Sequence, residues 1–405
     1  MSLLRDRSFL TASLAHFSVD LLNAQRPVLL AVLSVPLGLT NALIGLVTML
    51  YTFAGSLSQP LFGWLSDRFG ARRIASWGIL WMAVFFGLAL LAPGSTSLVL
   101  IVLAAFGSGA FHPAGTVEAT EVGRIHVAGQ QATAVATFIL FGQVGYSIGP
   151  AFGGLIVERW GPAGLLLFLP PALVAGPAVA RHFSLPAPSL ATASSNTSRL
   201  PTASVAWGTF LALAGLAALR SWAQTNMITF LPKYYSDLGF SPTYYGVMVA
   251  MFMGGSALGG VAGGLLGDRA NARAVIFWSL VIGAVPLALF PMLSTSPGAF
   301  LLSAASGALT GASNGITVVM AQRMMPGRLG AASGLVLGYT FASGAIGTWL
   351  SGLHADLAGF DAVFLTTAGV TFLAGILALG LREPPERIPE PTRAHETLLP
   401  IGESH

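Results

Sequence analysis

The tract GWLSDRFGARR at 63–73 returns one half-chain later as GLLGDRANAR at 264–273. Gly63, Asp67 and Arg68 become Gly264, Asp268 and Arg269, a constant separation of 201 residues. The match continues upstream without a gap. Leu37-Gly38 falls on Leu238-Gly239, Thr40 on Ser241, and Gly45 on Gly246. A chain of 405 residues therefore reads as two copies of one unit of about 200 residues. That restricts the fold to two similar bodies joined in tandem.

Composition says what surrounds them. Hydrophobic residues make up 54% of the chain and charged residues 8%, against about 25% charged in a soluble domain. Such a surface belongs in lipid. Long internal repeats in an apolar chain are the plan of transporters whose halves rock about a central site. Cysteine is absent, so neither disulfides nor thiol–metal chemistry is available. The net charge of +4 is better explained by where the cations lie than by affinity for nucleic acid.

Twelve hydrophobic stretches have roughly the 20 residues a helix needs to cross about 30 Å of hydrocarbon. They lie near 8–33, 42–65, 74–92, 96–119, 128–157 and 163–182, then 205–231, 242–266, 274–293, 297–321, 330–353 and 360–381. The expected fold class is all-α and integral to the membrane, with twelve transmembrane helices in two six-helix halves. Continuous apolarity, rather than alternation, excludes barrel strands.

Positive charge orients the bundle. One set of connections and ends holds Arg5, Arg7, Arg68, Arg72, Arg73, Arg124, Arg181, Arg199, Arg269, Arg273, Arg323, Arg328, Arg382, Arg387 and Arg393. The other holds Arg159 and Lys233. The first set is expected in the cytoplasm, with both termini. Predominance of arginine over lysine points to a bacterial GC-rich genome, hence the inner membrane. His16, Asp20 and Asn23 interrupt the first stretch, so it reads as a retained helix rather than a cleaved signal.

The expected organisation is a bundle over 1–183, a linker over 184–204, a second bundle over 205–381 and a tail over 382–405. The linker is rich in Pro, Ser, Thr and Ala, a flexible composition. The prolines of REPPERIPEPTR stop a helix, so the tail is expected to be disordered.

Gly63, Asp67-Arg68, Gly70 and Arg72-Arg73 match the signature between the second and third helices of the major facilitator superfamily, which the chain resembles over 8–382. The glycines permit close approach and a tight turn. Asp67 can pair with an arginine or cap a neighbouring helix, latching the cytoplasmic side. Asp268 and Arg269 repeat the motif. Gly145, Gly149-Pro150 and Gly153-Gly154 match the end of the antiporter signature, whose upstream glycine is Ala136 here. Proline bends the helix; ordinary small-residue packing is the other reading. In the second half Gly347 and Gly352 remain and Thr348 replaces the proline.

His16-x-x-x-Asp20, QPLFGWLSDRFG at 59–70, Phe111-His112-Pro113, Arg220-Ser221-Trp222 and FLPKYY at 230–235 resemble the fosmidomycin-resistance branch of drug:proton antiporters. The resemblance implies proton-coupled export, with a phosphonate anion as the branch's name-giving substrate. One departure stands out. Drug exporters of this superfamily carry an arginine four residues before a Gly-x-Gly in the fourth helix. Here Leu103 precedes Gly107-Ser108-Gly109, so any coupling must use other groups.

Ionisable residues at mid-membrane cost about 2.5–3.5 kcal/mol each on insertion scales, so each is a candidate. His16 and Asp20 are one turn apart on one face, with Asn23 following. Burial and a neighbouring cation act on the Asp20 proton in opposite directions, the balance a proton carrier needs. A structural Asp–His hydrogen bond is the alternative. Arg220 keeps its charge and needs a counter-charge, from Asp20 or an anionic substrate. Gln224 lies one turn on, with Trp222 between them. His112 titrates near neutral pH beside helix-breaking Pro113, and reads equally as functional or structural. Asn314 is its counterpart in the repeat. Arg26 reads as a substrate contact or as a side chain snorkelling outward. Glu118 and Glu121 read as a solvated helix end or a gate contact.

The chain lacks a Walker A loop, so ATP hydrolysis is not expected to drive it. The histidines show no metal-ligand spacing, and no cofactor, metal or enzyme constellation is expected. The expected partners are a small-molecule substrate, protons and the lipid bilayer, with no nucleic acid, for a monomer. The alternatives are an organic-anion uniporter or proton symporter, and a membrane sensor or assembly scaffold that moves nothing.

Overall fold

The computed structural model describes residues 3–125, 131–183, 207–324 and 329–381. The expected linker at 184–204 and tail at 382–405 lie outside the described residues, as do Arg199, Arg328, Arg382, Arg387 and Arg393. No strand occurs among the described residues.

The first half begins with α1 (Arg7–Asn23) and α2 (Gln25–Ser34), separate helices with Ala24 between them. The expected single helix over 8–33 breaks at Ala24. Pro27 has no N–H, so the Asn23 carbonyl loses its helical donor. Next come α3 (Asn41–Ser56) and α4 (Gln59–Phe69), split where Pro60 opens α4. Then follow α5 (Ala71–Leu91), α6 (Thr96–Ile125) and α7 (Gln131–Trp160). A 3-10 turn at Pro162–Phe168 leads into α8 (Leu169–His182). Helix α6 runs through Pro113 without a break.

The second half holds α9 (Trp207–Asp237), α10 (Pro242–Arg269), α11 (Ala272–Leu293), α12 (Gly298–Gly311), α13 (Asn314–Met324) and α14 (Leu329–Leu377). Helix α14 consists of two helices that meet at a kink at Gly359, whose φ of 79° lies in the left-handed region that glycine enters without a Cβ penalty. The two expected stretches, 330–353 and 360–381, meet there. Gly70, φ 96°, makes the expected tight turn between α4 and α5.

Among the described residues, eight helical stretches are long and apolar enough to cross a bilayer, one of them the stretch containing Gly359. The three other expected segments, containing α1–α2, α9 and α12–α13, fall short because of their polar residues. Counting the two helices that meet at Gly359 separately, this is consistent with twelve passes.

Threonine and serine start the repeated second segment alike. Thr40 Oγ1 accepts the Leu43 N–H at 3.1 Å, and Ser241 Oγ accepts the Tyr244 N–H at 3.4 Å. These are N-caps, each satisfying a free helix N–H.

The halves meet through α3 on α14, α7 on α10, and α2 on α9. Helix α4 packs instead on α5 and α6 of its own half. The α7 glycines permit close approach to both α1 and α10. A Cβ on Gly145 would stand 3.2 Å from the Leu21 nitrogen, and one on Gly149 2.8 Å from the Ala24 Cβ. Gly153 lies on Gln25, Gly154 on Pro242, and the Pro150 backbone on Gly246.

Candidate functional site

Helix α1 sets His16 and Asp20 one turn apart, and α6 brings His112 to them. Asp20 Oδ2 is 3.2 Å from His16 Nε2, and Oδ1 is 3.4 Å from His112 Nε2. Asn23 Nδ2 donates to Asp20 Oδ1 at 2.9 Å and to Ser108 Oγ at 3.0 Å. Tyr51, on α3, donates to Asn23 Oδ1 at 2.5 Å.

The outer nitrogens of both rings are fixed by backbone. His16 Nδ1 lies 2.8 Å from the Phe138 carbonyl, and His112 Nδ1 lies 2.8 Å from the Ser108 carbonyl. A carbonyl only accepts, so each Nδ1 carries hydrogen and donates. Each Nε2 then faces a different oxygen of Asp20. A proton between each Nε2 and its carboxylate oxygen would make either contact a charge-assisted hydrogen bond. The arrangement has places for two labile protons beside those on Nδ1.

The surroundings differ between the rings. His16 is buried and stacks on Phe138, centroids 4.2 Å apart. The His112 side chain remains 26% exposed. The ligand atoms of His16, Asp20 and His112 lie within 4.8 Å of one another. By distance alone that spacing also admits a metal ion. The sequence offers these three residues as proton-coupling candidates, but only the structure shows that His112, on another helix, meets the other two.

A second polar group sits in the other half. Buried Arg220 donates through Nη1 to Gln224 Oε1 at 3.0 Å and to Asn314 Oδ1. Gln224 Nε2 donates to Ser256 Oγ at 2.6 Å. Arg220 Nε is buried with no hydrogen-bond partner. No ion pair joins Arg220 to a carboxylate among the described residues. Asp20, offered by the sequence as its counter-ion, is instead held by His16, His112 and Asn23. The guanidinium therefore keeps donor capacity and an uncompensated charge.

Other expected contacts fall elsewhere. Trp222 donates its indole N–H to Ser351 Oγ at 2.8 Å and lies against Gly347, on α14. Arg26 is buried rather than snorkelled to the surface. Its guanidinium lies 4.7 Å from the Tyr51 ring centroid, and its Nε has no partner. Glu118 is not a solvated helix end: it is buried and accepts from Ser8 Oγ. Glu121 does pair at the helix end, accepting Arg124 Nε at 2.8 Å.

At the Arg-rich end, Asp67, Arg68, Arg72 and Arg73 are exposed, as are Asp268 and Arg269. Arg68 lies over the Trp64 and Phe69 rings, 5.7 Å from each centroid. Asp67 and Asp268 make no ion pair with a described residue, and Gly63 and Gly264 face open space.

Sequence reasoning missed five residues that shape these groups: Tyr51, Ser108, Phe138, Gly142 and Ser256. Gly142 had a signal, since it extends the glycine face of α7 by one turn before Gly145. A Cβ there would lie 2.7 Å from Asp20 Oδ2. The others touch only through folding.

A multi-pass helical bundle that turns its few polar groups inward between two repeated halves is the architecture of a membrane transporter for small molecules. The chain belongs to the Major Facilitator Superfamily, whose family model matches residues 9–222 and again 213–403. It is similar to the fosmidomycin resistance protein of Escherichia coli (strain K12), 27% identical over 381 residues, 91% of each chain. The multidrug efflux pump Tap of Mycolicibacterium fortuitum is 27% identical over 333 residues, 78% of each. Among solved structures, a bacterial homolog of the human lysosomal transporter Spinster, inward-facing and occupied, superposes with a TM-score of 0.77. That alignment covers 92% of this chain and 96% of the other at 13% identity, and bears on the fold alone.

Proposed function

We propose that this transporter exports small drug-like or anionic molecules from a bacterium by exchange for protons. The observation that carries the reading is the division of charge between the halves. The first half holds a carboxylate between two imidazoles; the second holds a buried guanidinium without a carboxylate partner among the described residues. His16, Asp20 and His112 take up and release the protons. Arg220, with Gln224 and Asn314, recognises the anion, and Asn23 and Arg26 line the first-half side. Trp222 positions α9 against α14.

The rigid units in this reading are 1–183 and 205–381, joined by the 184–204 linker. The Arg-rich end and both termini face the cytoplasm of a protein in the inner membrane, following the distribution of arginine. The tracts at Gly63–Arg73 and Asp268-Arg269 form the cytoplasmic gate. Their exposed aspartates and open glycines fit that gate in its open state. Gly145, Gly149, Pro150, Gly153 and Gly154 form the packing surface on which the first half turns. The protein acts as a monomer. The similarity to a fosmidomycin resistance protein and to a multidrug efflux pump supports export. Leu103, where drug exporters of the superfamily carry arginine, favours the second reading, an organic-anion uniporter or proton symporter.

Expression in a drug-sensitive bacterial strain tests the proposal. Cells should accumulate less fosmidomycin, or less of another member of a drug and organic-anion panel, and a protonophore should abolish the difference. Accumulation that rises on expression, or a difference indifferent to the protonophore, would contradict proton-driven export.

A further inference from the structure

Two carboxylates that no part of the transport scheme uses, Glu158 and Asp356, lie at the end of the bundle opposite the Arg-rich end. Asp356, on α14, accepts the backbone N–H of Asn41 at 2.9 Å through Oδ1 and that of Ala42 at 2.8 Å through Oδ2. These are the first two N–H groups of α3, in the other half. Glu158, on α7, accepts the backbone N–H of Thr243 at 3.0 Å. That is the second residue of α10, again in the other half. An anion at a helix N-terminus satisfies free N–H groups and opposes the helix dipole.

Each carboxylate follows a buried glycine by four residues: Gly154 before Glu158, and Gly352 before Asp356. Both glycines press on the same helix start that their carboxylate caps. A Cβ on Gly154 would stand 2.8 Å from the Pro242 carbonyl carbon and 3.1 Å from the Thr243 Cα. One on Gly352 would stand 2.8 Å from the Asn41 carbonyl carbon and 3.0 Å from the Ala42 Cα. The targets Asn41-Ala42 and Pro242-Thr243 are equivalent in the repeat, each following a Thr or Ser cap. The same contact is therefore made twice, in opposite senses, between the halves.

We infer that Gly154–Glu158 and Gly352–Asp356 form a paired clasp that holds the outer side of the transporter shut. "Outer" rests on the orientation given under Proposed function; the clasp itself rests on the contacts above. The glycine lets the backbones touch, and the carboxylate locks the contact. The Gly63–Asp67 and Gly264–Asp268 tracts share the Gly-x-x-x-acid spacing at the other end, but their glycines face open space. One end of the bundle is thus clasped, while Asp67 and Asp268 at the other make no ion pair among the described residues. Opening the outer side must break both carboxylate contacts, because each joins one half to the other.

The absence of cysteine makes the test direct. Spin labels at Val35→Cys and Leu238→Cys report the outer end, and labels at Phe69→Cys and Ala270→Cys report the Arg-rich end; all four positions are exposed. Pulsed dipolar distances are compared between the parent protein and the Glu158→Gln, Asp356→Asn and double variants in nanodiscs. The closed-to-open ratio at the outer end should fall about two- to five-fold for each lost carboxylate, the size of a charge–helix-terminus interaction. The double variant should show both losses, and the Arg-rich end should shorten as the outer end opens. Gly352→Ala should shift the ratio the same way by steric means. Unchanged outer distances in the double variant would overturn the clasp. Reaction of Val35→Cys with an impermeant thiol reagent from outside the cell supports the orientation. Reaction only from inside would overturn that orientation while leaving the distance result to decide the clasp.

Discussion

Asp20 Oδ2 stands 3.2 Å from Nε2 of His16, one helical turn earlier on the same helix. The other nitrogen of that ring is committed to the Phe138 carbonyl, so the ring cannot turn to relieve the contact. His112 makes the same arrangement with the second carboxylate oxygen. In the proposed exchange cycle, loss of a proton from this group would weaken one of the two contacts, and His112, the more exposed of the rings, would be the one to move.

Gly142 is where that link meets helix packing. A Cβ at this position would stand 2.7 Å from Asp20 Oδ2. Gly142→Ala should force α7 away from α1, costing about 1–3 kcal/mol as an overpacked contact. Thermal unfolding of the purified protein should show the loss, and pH-driven transport should fall with it. Full stability together with full pH-driven transport would remove Gly142 from the account.

Arg220 should discriminate anions. A guanidinium can hold a phosphonate or carboxylate through two parallel hydrogen bonds, which lysine does not reproduce. Loss of one charge-assisted bond, at about 1.5–3 kcal/mol, corresponds to roughly ten-fold to a hundred-fold weaker binding. Arg220→Lys should show this for an anionic ligand in nanodiscs, and less for a neutral one. Equal losses would make Arg220 a structural residue that fixes Asn314 and Gln224.

Asp67 should act on rate. It is exposed at the Arg-rich end, away from both polar groups. Asp67→Asn should slow turnover and leave equilibrium binding of substrate nearly intact. Stopped-flow transport paired with equilibrium binding separates the two. A large loss of affinity in folded protein would place Asp67 in the binding site instead.

The repeat, apolar composition and glycine signatures made the fold legible, because each is a property of adjacent residues. The His16–Asp20 pair was legible for the same reason, since a helix puts residues four apart on one face. The third member was only a candidate, because no local pattern says which face of α6 meets α1. The sequence left the partner of Arg220 open between Asp20 and a substrate anion for the same reason, and the structure places Asp20 with the two histidines instead. The break at Ala24 had a cue in Pro27, but the continuity of α6 through Pro113 shows that such a cue is overridden by packing. Glu158 and Asp356 were silent in sequence: an acidic residue near a helix end reads as solvated until its partner helix is known.

The central claim is that Asp20 couples proton movement to substrate movement. The most direct measurement is fosmidomycin accumulation in vesicles under an imposed pH gradient, with wild type and Asp20→Asn reconstituted to equal density. Wild type should concentrate the compound against its gradient. Asp20→Asn should lose that accumulation while still equilibrating the compound downhill, because asparagine keeps the shape but carries no exchangeable proton. Unaltered pH-driven accumulation by Asp20→Asn would contradict the account.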